Sequence, residues 1–361
     1  MFGKNREKMC QPVKWSGVYE RNAPHGDLVA QMRTLDNAYS CVVLTENDTL
    51  LGAMNILKLN ATAAYCFYLE VDTAAHGDVV VSVDRIDDLS VLSDDIKSRL
   101  TSRHAVALRV TSKMRQSIIE LGILWTRDPH SRRQSRSVVQ WLHDHTAEPA
   151  LGAVDLQLSK RVTIDLVCAS RELTAALRDR VGFCVSDPRE FLRLRVGRVE
   201  LLTALEALLG AADKYDIADS AADSEELGNY DDKTSGQHRP EYLKLLLERA
   251  GARARLACPK STAGVVCGCA LVEPNAGQLL ALYAQNTAVA MHLLRDAARL
   301  ADREEELTLT AVEGGELVEQ LKAQGVQFLE SRLVRRFHCN NIDARANWDD
   351  VHVLAAGLHI V

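Results

Sequence analysis

The residues best placed to do chemistry lie together between Ile118 and His145. Arg132, Arg133 and Arg136 share one short loop with Gln134, Ser135 and Ser137, just after Pro129. Ahead of the loop, Leu121, Ile123, Leu124 and Trp125 make an apolar run that reads as a buried strand. Behind it, Val138, Val139, Trp141 and Leu142 open a helix. A strand that passes through a basic loop into a helix N-terminus gathers backbone N–H groups and the positive end of the helix dipole at one point. That point suits an anion such as a phosphate group. Three arginines on a loop would otherwise read as a solvated surface turn, and it is the buried strand before and the helix after that favour phosphate.

The other constellations are weaker. His143 and His145 are two apart on a helix and point in different directions, so they are expected to face solvent rather than share a metal. Cys267 and Cys269, with Cys258 across a hairpin, read as buried thiols, because no fourth ligand stands at a usual metal spacing. Neither a Ser-His-Asp order nor a phosphate-binding Walker loop is apparent. No metal is expected.

These residues need a scaffold, and the composition bounds it. The chain has 361 residues, 47% hydrophobic and 25% charged, which is enough for two domains. A net charge of −6 without a long basic run argues against a general nucleic-acid binder. The first residues are polar, and no later run approaches the length of a membrane span. Nine cysteines scattered among apolar neighbours fit reduced thiols. The expectation is a cytoplasmic protein without a membrane partner, of undetermined oligomeric state.

Along the chain, three β-rich runs lie between Ser40 and Val71, and a short helix capped by Ser93 is expected over Ser93–Arg103. Arg161–Val167 reads as a strand, Arg171–Val181 as a helix ending at Gly182, and Phe191–Val196 as a strand. A helix is expected next over Glu200–Tyr215. Residues 216–237 have no apolar period and are expected to form a flexible loop. After a helix over Arg239–Arg249, the order becomes hairpin, strand (Leu279–Tyr283), helix (Thr287–Ala301), strand (Leu307–Ala311), helix (Glu316–Gln324), glycine, and two closing strands. The first half has the same order with extra material inside it, a repeat of architecture rather than of residue identity.

Both halves resemble the GNAT superfamily of N-acetyltransferases. The resemblance rests on the Arg132–Ser137 loop, where the family has Arg/Gln-x-x-Gly-x-Gly/Ala, on the Val162–Phe183 segment ending Val181-Gly182-Phe183, and on the second half's Glu241–Leu246 helix and Arg332–Phe337 strand. The chain is similar to the tandem type, found in bacteria and in an uncharacterised nematode group. The resemblance implies an α/β (α+β) fold of two GNAT-like domains, 1–197 and 198–361, each a mixed, mostly antiparallel sheet flanked by helices. It implies acetyl-CoA as cosubstrate, held by Arg132, Arg133, Gln134, Ser135, Arg136 and Ser137, with backbone at Leu124, Trp125 and Thr126 along its arm. Glu120 would then be the general base for transfer to a small-molecule or protein amine. The sequence departs from the family where Ser135 and Ser137 replace two glycines, and where Arg178 stands in place of a proton-donating tyrosine. The second half has no loop between Tyr283 and Thr287, so it is expected to lack the coenzyme. The alternative reading is an inactive GNAT-fold module that binds a ligand or another protein.

Overall fold

A computed structural model describes residues 13–16, 28–71, 79–114, 136–152, 157–167, 177–178, 182–210, 214–249, 251–262, 264–340 and 346–354. The chain divides into two compact units, with boundaries inside the Leu28–Arg33 helix and inside β8 (Arg161–Val167).

The first unit is built on β1 (Val13–Ser16), β2 (Ala38–Leu44), β3 (Leu50–Lys58), β4 (Ala63–Val71), β5 (Val79–Ile86), β6 (His104–Met114) and the two-residue β7 (Arg136–Ser137). They lie in the order β1-β4-β3-β2-β6-β5-β7, antiparallel except for β2 beside β6. Every residue of β4 is buried, as are the seven central residues of β3, so these strands are covered on both faces. The Val138–Leu151 helix packs on β2, β3 and β4. The helix expected over Ser93–Arg103 is a single turn, Asp94–Lys97, capped by Ser93 as the sequence indicates. It stops because the Ser98 hydroxyl turns back to the Asp95 carbonyl and Arg99 leaves the helix to reach β4.

The second unit holds β9 (Val185–Gly197), β10 (Tyr215–Ser220), β11 (Arg253–Pro259), β12 (Gly268–Glu273), β13 (Gln278–Ala284), β14 (Glu306–Val312), β15 (Phe328–His338) and β16 (Val351–Leu354). Their order is β10-β11-β12-β13-β16-β14-β9-β15. The sheet is mostly antiparallel, with β13 and β14 parallel at their one shared rung. The Thr287–Leu300 helix buries Val289, Leu293, Leu294 and Ala297 in the main core. The hairpin, strand, helix, strand, helix order read from sequence is present here. The Glu200–Tyr215 expectation shortens to Arg198–Leu209, ending at Gly210, whose φ of +63° a side chain would resist.

The flexible loop expected over 216–237 is corrected by the structure. The segment contains most of β10 and the Glu225–Ser235 helix. β10 is an edge strand, and its Ile217 stands among Asp216, Ala218 and Asp219. The helix is marked by its Ser224 cap and by buried Leu227, Tyr230, Asp231 and Thr234, of which two are polar. A hydrophobic count misses a helix whose buried stripe includes Asp and Thr.

Candidate functional site

Glu120, Leu124, Trp125, Thr126, Arg132, Arg133, Gln134 and Ser135 lie outside the described residues. Arg136 and Ser137 form β7, paired with Val80 and Val79. Ser137 is the N-cap of the Val138–Leu151 helix and closes a capping box. Its hydroxyl accepts the Gln140 N–H at 3.3 Å, and the Gln140 side-chain oxygen accepts the Ser137 N–H at 2.8 Å. Both groups are thereby engaged within the helix start.

That helix start has a defined seat. A Cβ added at Gly52 on β3 would meet Leu142 Cδ1 at 2.9 Å, the Glu70 carbonyl oxygen at 3.0 Å and Val138 Cγ1 at 3.1 Å. Glycine is therefore required for the first two turns to lie on β3 beside the end of β4.

The opposite face of β4 carries polar groups. Ser40, Asn55 and Tyr68 are cross-strand partners in one row, so their side chains share a face. Glu70 lies two residues beyond Tyr68 on that face. The Tyr68 hydroxyl donates to Glu70 Oε2, and Arg99 Nε donates to the same oxygen at 2.9 Å. Arg99 also pairs with Asp95 at 2.8 Å. Arg33 lies 4.6 Å over the Tyr68 ring and donates to Asn55 Oδ1 at 2.7 Å. Tyr68, Glu70, Arg99, Arg33 and Asn55 are all buried. Burial, then the hydrogen bond to Glu70, pushes the Tyr68 hydroxyl up to about 12, so it keeps its proton. Burial works against the Arg99 charge, but Glu70 and Asp95 outweigh it and hold the guanidinium charged. The arrangement is a buried carboxylate oriented by one cation and one phenol. Sequence reading misses it, although a Tyr-x-Glu pair inside an apolar strand is a usable sign.

The second unit repeats the seat. A Cβ at Gly268 on β12 would meet Val289 Cγ1 at 2.8 Å, Leu293 Cδ1 at 2.9 Å and the Tyr283 carbonyl oxygen at 2.9 Å. Val138 and Leu142 thus correspond to Val289 and Leu293, and Glu70 to Tyr283. At the matching place Arg239 donates to the Tyr283 hydroxyl at 3.1 Å and holds Asp231 with two 2.7 Å bonds. Asn286 caps the Thr287–Leu300 helix directly after β13, its side chain accepting from Val289 N–H at 3.1 Å.

Elsewhere in this unit Arg336 is fully buried in a two-bond pair with Asp165, at 2.7 and 3.0 Å. Asp187 faces His338 across 3.7 Å, beyond hydrogen-bond length. Burial opposes the Asp187 charge, but His338, the Arg189 N–H and the Arg336 and Arg189 guanidinium groups hold its carboxyl below the ordinary range. A cavity of about 610 Å³, lined by Asp219, Asp223, Glu241, Lys244, Glu248 and Arg253 among others, lies in this unit and includes none of the residues predicted from sequence.

The expectation of solvent-facing histidines holds only in part. His145 is half-buried beneath Trp141, but His143 is buried, edge-on to the Phe183 ring at 6.0 Å, because its helix is covered on that side. Cys267 and Cys269 are buried, and burial pushes the Cys267 thiol up to about 11, so it stays protonated. Among the described residues no group of His, Cys, Asp and Glu is placed to hold a metal ion, and no helix is long and apolar enough to cross a membrane.

The family model described as "Domain of unknown function (DUF7596)" matches residues 25–185. No curated protein matches the chain. Solved structures similar to it include a tandem GNAT protein from the clavulanic acid biosynthesis pathway, at 11% identity over 90% of this chain and 92% of that one, with a TM-score of 0.46. Another is a GCN5-related N-acetyltransferase from Sphaerobacter thermophilus, at 12% identity over 83% and 81%, with a TM-score of 0.42. Both are described as GNAT proteins, the superfamily that the sequence resembles.

Proposed function

We propose that the chain is an acetyl-CoA-dependent N-acyltransferase whose first unit carries the site and whose acceptor is a small-molecule or protein amine. One observation carries the reading. A 14-residue helix begins at Val138, three residues after Ser135 and behind the β7 residues Arg136 and Ser137, and Gly52 seats that helix start at the end of β4. The N-terminal end of such a helix fits the charge of a pyrophosphate. Arg132, Arg133 and Arg136 would supply side-chain charge, and Gln134, Ser135 and backbone at Leu124, Trp125 and Thr126 would line the coenzyme's path. The Ser137–Gln140 capping box fixes where the helix begins.

When bound, the coenzyme supplies an acyl thioester. The chain's part is to hold the amine in line and neutral, and to exclude water. Glu120 is the proposed base. Glu70 is a second carboxylate, and its neighbours Arg99 and Tyr68 suit it to orienting a charge more than to taking up a proton. The reading of an inactive binding module is favoured by one specific feature: the Ser137 hydroxyl and the Gln140 N–H, which an anion could use, already bond each other.

Calorimetric titration of the full chain with acetyl-CoA and with CoA tests the proposal. The expected result is binding that Arg132→Glu abolishes, followed by CoA release when amines are added. Binding without CoA release from any amine would favour the module. No binding at high micromolar coenzyme would end both the coenzyme and the enzyme readings.

A further inference from the structure

The cavity of about 610 Å³ in the second unit is walled by three stretches of chain. The first is residues 219–223, the end of β10 and the turn after it. The second runs from Pro240 to Glu248, through the short Pro240–Lys244 helix and the turn that follows it. The third is residues 252–254, at the start of β11. The volume is that of a small-molecule site. Small side chains leave the room: Ser220, Ala221 and Ala222 in one wall, Ala252 and Ala254 in another. Ala252 and Ala254 are buried and Leu247 is half-buried, so part of the lining is apolar.

Two local features set this cavity apart from an ordinary surface hollow. Leu245–Arg249 is a π-helical turn, and it supplies Leu247 and Glu248 to the wall. Single π turns are rare and recur at functional sites. Ser220 also lines the cavity, and its hydroxyl oxygen is buried with no hydrogen-bond partner among the described residues. Buried polar atoms are nearly always paired, so an orphan in a cavity wall is accounted for by a ligand that bonds it.

The charged groups of the lining fall into two sets. Asp219 accepts two bonds from Arg253, at 2.8 and 2.7 Å, and pairs with Arg255 at 2.8 Å, so these charges satisfy one another. Asp223, Glu241, Lys244 and Glu248 are exposed, and no ion pair joins any of them to a described residue. Three carboxylates against one ammonium give the open set a surplus of two negative charges.

We propose that this cavity binds a linear aliphatic diamine or polyamine. Its ammonium groups meet Asp223 from one wall and Glu241 and Glu248 from another, and its carbon chain lies against Leu247, Ala252 and Ala254. An ammonium N–H can also donate to the Ser220 hydroxyl. Lys244 opposes the ligand's charge and limits the site to about two cations. The site lies outside the acyl-transfer reading and stands whether or not the first unit binds coenzyme.

Calorimetric titration of the full chain with putrescine at neutral pH tests this. The expected result is saturable one-to-one binding that weakens as salt is added. Butylamine, which carries a single ammonium, should bind about fivefold more weakly. Glu241→Gln combined with Glu248→Gln should weaken putrescine binding about tenfold. Lys244→Gln should tighten it about threefold, because a repulsion is removed. Asp302→Asn changes an exposed carboxylate outside the cavity and should leave binding as it was. All four substituted residues are exposed, and thermal unfolding of each variant checks that its fold is kept. No saturable binding at millimolar putrescine would overturn the proposal. So would an equal loss in Asp302→Asn, equal affinity for butylamine, or weaker binding in Lys244→Gln.

Discussion

Gly52 and Gly268 do the same job in two units whose surroundings differ. Each lets a Val and a Leu one helical turn apart lie against a strand pair, and each sits beside the backbone of one residue of the next strand, Glu70 or Tyr283. The two units differ in the group that this residue holds and in the length of chain between it and the helix. Glu70 is a carboxylate bound by Arg99 and Tyr68, and residues 71–137 intervene before its helix. Tyr283 is a neutral phenol bound by Arg239, its helix begins three residues past Ala284, and β16 closes the strands beside it. A shared packing rule therefore serves two units that differ in the length of chain ahead of the helix. Close glycine packing fixes where a helix starts; the chemistry depends on what the chain inserts ahead of it.

The largest expected effect comes from the buried arginines. Arg239→Ala strands Asp231, a fully buried carboxylate, and should destabilise the second unit by about 3–5 kcal/mol in denaturant unfolding. Arg99→Ala should cost less, because Glu70 keeps its bond from Tyr68. Equal losses would break the distinction drawn between the two networks. Next come the glycine seats. Gly268→Ala forces a Cβ to within 2.9 Å of three atoms, one of them backbone, and is expected to cost about 2–3 kcal/mol. Gly52→Ala, with looser contacts, should cost about 1–2 kcal/mol. A neutral Gly52→Ala would remove the seat as the reason for the helix position. The smallest effect is Tyr68→Phe, about 1 kcal/mol by thermal unfolding, since Glu70 retains Arg99.

Much of the fold is legible in the chain. The second unit's order from hairpin to closing strands can be read from apolar periods and from turn residues such as Pro259 and Gly325. The Ser93 cap is correctly read. Other features depend on distance along the chain. Arg99 meets Glu70 across 29 residues, and Arg336 meets Asp165 across 171, so no local pattern announces either pair. Gly52 within Leu-Leu-Gly-Ala-Met reads as one more strand residue, because the helix that requires it begins at Val138. The Glu225–Ser235 helix is hidden by the Asp and Thr on its buried side. The Ser137-x-x-Gln140 capping box is readable as a helix start, yet the arginines beside it point to an anion instead.

The central claim is that the first unit, not the second, meets the coenzyme at its helix start. Hydrogen exchange of the full chain with and without saturating acetyl-CoA tests it most directly. The account predicts slower exchange over Arg136–Gln140 and unchanged exchange over Ala284–Val289. Slowing over Ala284–Val289 alone, or over neither segment, would contradict it.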